Sequence, residues 1–352
     1  MIRGWADPAP PAAQVALRFS TGPDCPSVSN LSAATRVGET LFLAGDEGAA
    51  IECLSADGDD WGNHRRLSLS ELLDLDAPDE EADVEGLAAD GEWLWVLGSH
   101  ARTRAKPEKA KGAIIDTDAL ADLKNTRARC VLARLPLAEV DSGLSPVRRD
   151  GQRRAGMLKQ NKHGNALAAA LKKDKLVGPF TRIPAKEGGV DMEGIAVCGD
   201  RVALGMRGPV IAGHALLLEL RVRAGRSGKL KLDGRPVKRL LALEGLGIRD
   251  LKRMGEDLLI LAGPTTGLSG PCALYRWADW TADPPQDERE VRLHRPERIL
   301  ELPFGRGCDH PEGLALWGDG EVLVVNDSPG EHRLREEGRT LVADIFRLPG
   351  RG

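Results

Sequence analysis

A short pattern of polar and hydrophobic positions recurs along the chain. Each copy begins with a polar residue, continues through an apolar run and a turn marked by glycine, and ends in a second apolar run. The clearest copies begin at Asp83, Asp191 and Asp309, and each carries a Glu-Gly pair early in its first run. Two apolar runs joined by a glycine turn are typical of a β-hairpin. Self-similarity of this kind predicts a repeat fold.

Two weaker copies extend the series. One runs from Ile248 to Leu261 with Arg-Asp in place of Glu-Gly, and the other runs from Asn30 to Gly45. Two further strands are predicted after most hairpins, for example 130–135 and 180–183 in the second copy. Four strands per copy are typical of a propeller blade. We therefore predict an all-β, five-bladed β-propeller, and a sixth blade hidden in an insertion is the alternative.

The last copy supplies only three strands, of which the third covers 342–348. The segment 15–20 precedes the first copy and has the alternation of a strand. We predict that this N-terminal strand closes the last blade, since such pairing removes exposed sheet edges.

Residues 1–352 are predicted to form a single propeller domain, in which 101–128 and 149–177 are insertions within the second blade. The second insertion contains an Ala- and Leu-rich segment, 166–173, that predicts a short helix. The net charge is −4, but residues 101–175 carry 18 Lys and Arg against 8 Asp and Glu. The basic insertions are therefore a candidate surface for a protein partner. Nucleic acid is disfavoured because no aromatic residues interleave with the basic ones.

Three classes of protein are disfavoured by composition. No apolar run is long enough to span a bilayer, so no membrane association is predicted. The first residues lack the apolar stretch of a secretory signal, which predicts a cytoplasmic protein. The six cysteines have neither C-x-x-C spacing nor pairing within short loops, so we expect buried thiols rather than zinc ligands or disulfides.

The candidate site follows from the hairpins, because the two open ends of a hairpin are neighbours. All copies should therefore present these ends on one face of the propeller. Alignment of the copies places one residue of each at equivalent positions around a central channel: Ser32, Glu85, Glu193, Arg249 and Glu312. Two residues earlier, on the same side of each strand, lie Asn30, Asp83, Asp191, Gly247 and His310.

Three glutamates around one channel would repel each other and need a cation or shared protons. One candidate is Ca²⁺ or Mg²⁺, which prefers oxygen ligands. Its predicted ligands are Glu85, Glu193, Glu312 and Asn30. The alternative is neutralisation by Arg249, with Arg207, as a buried salt-bridge cluster. No Walker-type loop or other cofactor motif is present, so no organic cofactor is indicated.

The remaining polar residues of this face are candidates for binding and chemistry. His100 or Asp327 could activate a water molecule, and the alternative for His100 is a hydrogen-bonded loop residue. The candidates for binding an anionic substrate are Arg207, Arg249, Lys186, Ser99 and His310. A guanidinium flanked by glycine, as in Arg207-Gly208, can approach a carboxylate or phosphate closely.

Four segments together carry a family resemblance: 98–100, 186–194, 207–209 and 247–250. In this order they resemble the bacterial domain of unknown function 3616 family, from about residue 30 to residue 330. The Glu-Gly-Leu hairpins are also similar to those of phytase-like, SdiA-regulated-like and gluconolactonase-like propellers. Some of those propellers bind Ca²⁺ at acidic residues in the channel mouth. The resemblance implies an architecture and a candidate site, but no substrate.

Two functions are compatible with this pattern. The first is a metal-assisted hydrolase of a small anionic ester, such as a phosphoester or lactone. The second is a non-catalytic propeller that binds a small anionic ligand or a protein partner at the channel mouth. They differ in whether a metal or arginine neutralises the glutamates.

Overall fold

The computed structural model describes residues 4–20, 26–104, 116–124, 127–284 and 286–351. These residues form an all-β protein of 28 strands and four short α-helices. The strands in chain order are β1 (Ala13–Arg18), β2 (Leu31–Val37), β3 (Thr40–Gly45), β4 (Ala50–Asp57), β5 (Asp60–Ser68), β6 (Val84–Asp90), β7 (Trp93–Gly98), β8 (Thr103–Arg104), β9 (Leu123–Lys124), β10 (Leu132–Val140), β11 (Gly143–Pro146), β12 (Arg149–Asp150), β13 (Arg153–Arg154), β14 (Gly156–Met157), β15 (Asp191–Cys198), β16 (Arg201–Ile211), β17 (His214–Ala224), β18 (Leu230–Leu232), β19 (Val237–Leu241), β20 (Gly247–Met254), β21 (Asp257–Gly263), β22 (Cys272–Trp277), β23 (Val291–His294), β24 (Glu297–Leu302), β25 (His310–Gly318), β26 (Glu321–Asp327), β27 (Leu334–Arg335) and β28 (Thr340–Arg347).

The α-helices are α1 (Pro26–Ser29), α2 (Leu69–Leu72), α3 (Thr117–Ala121) and α4 (Ala166–Lys173). The predicted helix at 166–173 is α4, so that prediction is confirmed. Its N-terminus is capped by Asn165, whose side-chain oxygen accepts a hydrogen bond from the backbone N–H of Ala168 at 3.0 Å.

Most strands belong to one of five four-stranded antiparallel units, which we number along the chain. Unit 1 is β2-β3-β4-β5, unit 2 is β6-β7-β10-β11, unit 3 is β15-β16-β17-β19, unit 4 is β20-β21-β22-β24, and unit 5 is β25-β26-β28-β1. Units 1 and 5 join into one larger sheet through a single parallel bridge between Leu17 and Trp61. Strand β23 extends unit 3 by parallel pairing with β19.

The N-terminal strand closes unit 5, as the sequence predicts. Strand β1 pairs with β28 in antiparallel register, with Val15 opposite Ala343. This pairing covers the edge of β28 that would otherwise present unpaired backbone groups.

Tight turns connect the first two strands of each unit. Between β6 and β7 the turn residue Gly91 has φ of 58°, and between β15 and β16 Gly199 has φ of 63°. Positive φ at a two-residue hairpin turn favours glycine, because other residues meet steric conflict there. The glycines that mark the repeats therefore have a conformational cause.

The first strand of every unit contains a β-bulge at one repeated position. At this position the strand pairing skips one residue in each of the five first strands, and β25 has a second skip at Trp317. The residues skipped at the repeated position are Ser32, Glu85, Glu193, Arg249 and Glu312, the same five that the sequence alignment makes equivalent. A bulge leaves its extra residue unpaired and redirects its side chain.

The glycine after each repeated glutamate lets neighbouring units approach each other. A Cβ atom on Gly86 would lie 3.1 Å from the carbonyl oxygen of Glu193, and one on Gly194 would lie 2.9 Å from the backbone carbon of Asp250. A Cβ atom on Gly313 would lie 3.0 Å from the backbone nitrogen of Ala34. These contacts join units 2 and 3, units 3 and 4, and units 5 and 1. The Glu-Gly pair thus combines a redirected carboxylate with close packing of strands.

The hydrophobic core lies between the units. Five clusters of buried apolar residues each combine side chains from two units that follow one another in the order 1-2-3-4-5-1. For example, Leu97 of unit 2 and Ile195 of unit 3 belong to one cluster, and Leu261 of unit 4 and Leu314 of unit 5 belong to another. Burial of these faces against each other is the main favourable term that holds the units together.

One strand prediction is wrong. Residues 180–183 were expected as the fourth strand of the second copy, but Gly178–Arg182 is a 3₁₀ helix and the fourth strand is β11. Proline near the start of this turn, at Pro179, fixes φ in a range that suits a helical turn.

The predicted insertions are partly outside the described residues. In 101–128 the structure describes β8, α3 and β9, while 105–115 and 125–126 lie outside the described part. The insertion 149–177 contains β12, β13, β14 and α4. The five cysteines in the described part are free thiols. None of the described helices is long and apolar enough to cross a bilayer.

Candidate functional site

Two arginines and two of the repeated glutamates, Glu193 and Glu312, form a buried ion cluster at the bulges. Nε of Arg249 lies 2.9 Å from Oε2 of Glu193, and Nη2 of Arg249 contacts Oε1 of Glu312. Nη1 of Arg207 lies 3.0 Å from Oε1 of Glu193, and Nη2 of Arg207 contacts Asp191. Both oxygens of Glu193 therefore face a guanidinium.

The electrostatics of this cluster are dominated by burial. Burial raises the pKa of Glu193 to about 7, although Arg207 and Arg249 act in the opposite direction. Burial also acts to lower the pKa of Arg207, but the carboxylates of Asp191, Glu193 and Glu85 hold it above its ordinary value. Arg207 therefore stays charged, and the two guanidinium groups compensate only part of the cost of burying several carboxylates together.

Among the glutamates at the repeated bulge position, Glu85 has the carboxylate whose charge is least compensated by nearby cations. Burial, followed by the charges of Asp83, Glu193, Asp191 and Asp46, raises its pKa well above the ordinary value. Within the described residues, no hydrogen bond or ion pair reaches its side chain. Glu85 is therefore the glutamate for which a proton or an added cation is most favourable.

The pKa values of two neighbouring carboxylates, Asp83 and Asp46, are raised as well. Burial raises the pKa of Asp83 to about 7, even though Nη1 of Arg129 donates to it at 2.7 Å and the hydroxyl of Ser99 donates to it as well. Burial and the charge of Asp327 raise the pKa of Asp46 to about 6. Three buried carboxylates near the site, Asp46, Asp83 and Glu85, therefore have raised pKa values.

A cavity of about 240 Å³ opens beside the ion cluster. Six of the site residues predicted from sequence line it together: Lys186, Arg207, Arg249, His310, Glu312 and Asp327. The loop 264–270 between β21 and β22 forms much of the remaining lining, together with Phe304. Leu268 is 77% exposed and Phe304 is 39% exposed, so apolar side chains border a charged cavity.

Ser269 is a lining residue that sequence reasoning missed. Its Oγ lies 3.2 Å from Nε2 of His310, and Nδ1 of His310 lies 3.9 Å from Oδ2 of Asp327. The backbone N–H of Gly307 donates to the same Oγ at 2.9 Å. Ser269 belongs to a loop that has no counterpart in the other copies of the repeat. The only signal in the sequence is that the serine lies between Gly267 and Gly270.

The remaining predicted site residues are not part of this lining. His100 is buried, has φ of 54°, and uses both ring nitrogens. Its Nδ1–H donates to the carbonyl of Gly98 at 2.8 Å, and its Nε2 accepts from Nδ2 of Asn165 at 3.0 Å. Burial lowers the pKa of His100 to about 4, which keeps the ring neutral. Its predicted catalytic role stays a prediction, but its hydrogen bonds match the alternative of a loop residue.

Ser99 and Asn30 are also absent from the cavity lining. The Ser99 hydroxyl is directed to Asp83, and its carbonyl accepts from Met192 at 2.9 Å. Asn30 forms an isolated bridge with Asp327, which places it beside the cavity through the backbone. Among the described residues, no group of three or more His, Cys, Asp or Glu is arranged to hold a metal ion.

A buried Asp-Lys pair, which was not predicted from the sequence, lies near the bulge of unit 4. Nζ of Lys252 is 2.7 Å from both carboxylate oxygens of Asp250, and it also donates to the carbonyl of Leu87 at 3.0 Å. The N–H of Leu314 donates to Asp250 at 2.7 Å. Asp250 takes the place of the glycine found in units 2, 3 and 5. Its side chain instead ties unit 4 to unit 5, and through Lys252 to unit 2.

These features define an all-β repeat protein with a charged, solvent-accessible cavity beside its repeated bulges. The chain belongs to the family described as proteins of unknown function, DUF3616, whose model matches residues 30–344. The resemblance seen in the sequence is thereby confirmed. No match is found among curated proteins.

Solved structures give distant similarities. Glutaminyl cyclase of Myxococcus xanthus is 11% identical with a TM-score of 0.40, over 97% of this chain and 100% of that chain. The PQQ-bound aldose sugar dehydrogenase of Streptomyces coelicolor is 11% identical with a TM-score of 0.41, again over 97% and 100% of the two chains. Similarity at this level does not indicate an activity for this protein.

Proposed function

We propose that the cavity binds a small molecule that carries an anionic group and an apolar part. The observation that carries this proposal is the joint lining of one cavity by Lys186, Arg207 and Arg249, with Leu268 and Phe304 at its border. Ligand pockets typically combine apolar surface with a few polar groups that fix orientation. A cavity of about 240 Å³ suits a small metabolite.

The three cations contribute differently. Arg207 and Arg249 are held by carboxylates, so a ligand meets guanidinium groups whose positions are already fixed. Preorganised groups lower the entropic cost of binding. Lys186 is exposed, and within the described residues no hydrogen bond or ion pair reaches its amine. Lys186 is therefore the cation most available to a ligand anion.

Ligand binding has more support than metal-assisted hydrolysis. Glu193 and Glu312, two of the three glutamates predicted as metal ligands, contact arginine. Glu85 alone keeps the electrostatic character that would attract Ca²⁺ or Mg²⁺. A bound divalent cation, a cytoplasmic location and a protein partner at the basic insertions all stay predictions.

The five units support a five-bladed propeller as the architecture that holds this site. Their first strands contact one another in the closed order β2, β6, β15, β20, β25 and β2 again. Each unit is a four-stranded antiparallel sheet, and an apolar cluster fills each space between neighbours. In this arrangement residues 1–352 form one domain, and the five bulges surround its axis.

The binding proposal is tested with phenyl phosphate and benzoate as probes and phenol as the uncharged comparison. Calorimetric titration should show saturable binding of at least one anion and none of phenol. Lys186→Gln should weaken that binding by about 10- to 150-fold, because a hydrogen bond to a charged group contributes about 1.5–3 kcal/mol. Lys172→Gln, an exposed lysine on α4, is the matched control and should leave affinity unchanged. Equal weakening by both variants, or no anion binding, would contradict the proposal.

A further inference from the structure

We propose that Ser269, His310 and Asp327 form a nucleophilic triad that hydrolyses a small carboxylic ester or lactone bearing an anionic group. All three residues line the same cavity as Lys186, Arg207 and Arg249. The choice of substrate rests on the proposed binding function, since those cations would hold the anionic group. The assignment of Ser269 as the nucleophile rests on a separate observation, the distances between Ser269, His310 and Asp327.

The serine and histidine are within hydrogen-bond reach. Oγ of Ser269 is 3.2 Å from Nε2 of His310, which is the nitrogen that a general base would use. The N–H of Gly307 donates to the same Oγ at 2.9 Å. This donor occupies an oxygen lone pair and leaves the hydroxyl proton free to point toward His310.

The histidine is positioned by the hairpin of unit 5. His310 begins β25 and Asp327 ends β26, and the two residues are direct partners in the strand register. Their side chains approach to 3.9 Å between Nδ1 and Oδ2. Distances in such triads are often looser before substrate binds and tighten in the complex. Asp327 thus acts as a positioning residue that favours the tautomer with the proton on Nδ1.

The side chains of His310 and Asp327 remain accessible to a reactant. They are 29% and 26% exposed, and Ser269 is half-buried. A purely structural serine-histidine contact has no need of an open cavity, nearby cations or an acidic partner on the far side of the ring. Here all three occur together.

The reaction balances with these groups and one water molecule. The Ser269 oxygen attacks the carbonyl carbon while its proton passes to Nε2 of His310. The ester carbon–oxygen bond breaks, and the leaving alkoxide takes the proton from His310, which gives an acyl-serine. Water then loses a proton to His310 and attacks the acyl group, and the proton returns to Ser269 as the acid leaves. No oxidant, reductant or additional reactant is required.

The first test is covalent labelling of the full-length protein with a fluorophosphonate. Mass spectrometry of peptides should locate the adduct on Ser269. Ser269→Ala should abolish labelling, and His310→Gln should reduce it strongly because the base is lost. Ser227→Ala, at an exposed serine outside the cavity lining, is the matched control and should label as the parent does. Equal labelling of parent and Ser269→Ala would overturn the proposal.

The second test measures release of 4-nitrophenolate from 4-nitrophenyl hydrogen succinate, an anionic ester, against 4-nitrophenyl acetate. We expect faster turnover of the anionic ester and a loss of at least about 1,000-fold in Ser269→Ala. Asp327→Asn should lower the rate and alter its pH profile, whereas Asp327→Glu should restore part of both. Turnover that is unchanged in Ser269→Ala would overturn the triad.

The two proposals fail in different ways. Phenyl phosphate should bind to Ser269→Ala and to the parent with affinities within about twofold, because the hydroxyl does not carry the anion contact. Binding without labelling or turnover overturns the triad and leaves the binding function. Labelling at Ser269 without anion binding supports the triad and contradicts the binding function.

Discussion

Nε of Arg249 lies 2.9 Å from Oε2 of Glu193, and the same guanidinium contacts Glu312. One side chain of unit 4 therefore links units 3 and 5 at the position where the other units carry glutamate or serine. Arg249 occupies the position at which three of the other repeats carry glutamate. It therefore supplies a cation to a set of repeated residues that would otherwise be acidic.

Removal of this cation should destabilise the fold. The Arg249 side chain is 7% exposed and that of Glu193 is 2% exposed, so Arg249→Met would leave buried carboxylates without their partner. We expect the free energy of unfolding to fall by about 3–5 kcal/mol, as measured by urea denaturation at pH 7.

The control for Arg249→Met is Arg221→Met. Arg221 pairs with Asp200 at the surface, where both side chains are about half exposed, and should contribute about 0–1 kcal/mol. Similar losses in the two variants would contradict a special role for the Arg249 cluster.

Metal binding should not depend on Glu193. Because Arg207 and Arg249 face both of its oxygens, we expect calorimetric titration of chelator-treated protein with Ca²⁺ and Mg²⁺ to show the same heats in the parent and in Glu193→Gln. Saturable Ca²⁺ or Mg²⁺ binding that disappears in Glu193→Gln would instead restore the metal site predicted from sequence.

Replacement of Glu85 by Gln should stabilise the protein at alkaline pH. Its folded-state pKa lies above the unfolded value, so its contribution is favourable below the unfolded pKa and is lost as pH rises through the folded one. At alkaline pH the parent must either bury the Glu85 charge or take up a proton on folding, and the variant does neither. Glu85→Gln should therefore gain about 1–3 kcal/mol in the free energy of unfolding at pH 8.

Two comparisons check whether Glu85→Gln changes the free energy of unfolding in the expected direction. The gain should shrink at pH 4, because this pH lies below the ordinary pKa of 4.5 and most of the carboxyl groups in the unfolded state then carry a proton as well. Glu139→Gln, at an exposed position of β10, should change stability by less than about 0.5 kcal/mol at either pH. A loss of stability in Glu85→Gln at pH 8 would show that the Glu85 carboxylate has a cation partner.

His100 should make stability fall in acid. Its folded-state pKa of about 4 lies below its ordinary value of 6.5, so its contribution is full above pH 6.5 and is lost as pH falls toward 4. The loss amounts to about 3 kcal/mol, since one pKa unit corresponds to about 1.4 kcal/mol.

His100→Asn isolates this effect, because asparagine tolerates the positive φ at this position. Denaturation at pH 7 and pH 4.5 should show a smaller difference in the variant than in the parent. His163→Asn, at an exposed position, should keep the pH dependence of the parent. An unchanged difference in His100→Asn would mean that the fold does not lower the pKa of His100.

Several local features were predictable from the sequence because they depend on neighbours along the chain. The hairpins at Gly91 and Gly199 follow from turn geometry, and α4 follows from its Ala- and Leu-rich composition. The equivalence of Glu85, Glu193 and Glu312 also follows from the repeats. The bulge at these positions could not be predicted, because these strands are buried on both faces. Their apolar runs therefore show no alternation that a skipped residue would interrupt.

The candidate site was only partly predictable. Lys186 and Arg207 were expected near the mouth, and both line the cavity. Ser269 belongs to a loop with no periodic pattern, and its partner His310 is 41 residues away. His100 was expected at the mouth, but Asn165, 65 residues further along, engages its ring.

The sequence by itself determined the repeated hairpins, the N-terminal strand that closes unit 5 and the set of polar residues at one end of the units. These depend on local conformational preferences and on a register that repeats. Only the tertiary structure decided which charges meet, that Arg249 rather than a further carboxylate faces Glu193, and that a serine lies beside His310. Such contacts join different units, and their distances depend on how closely the glycines let those units pack.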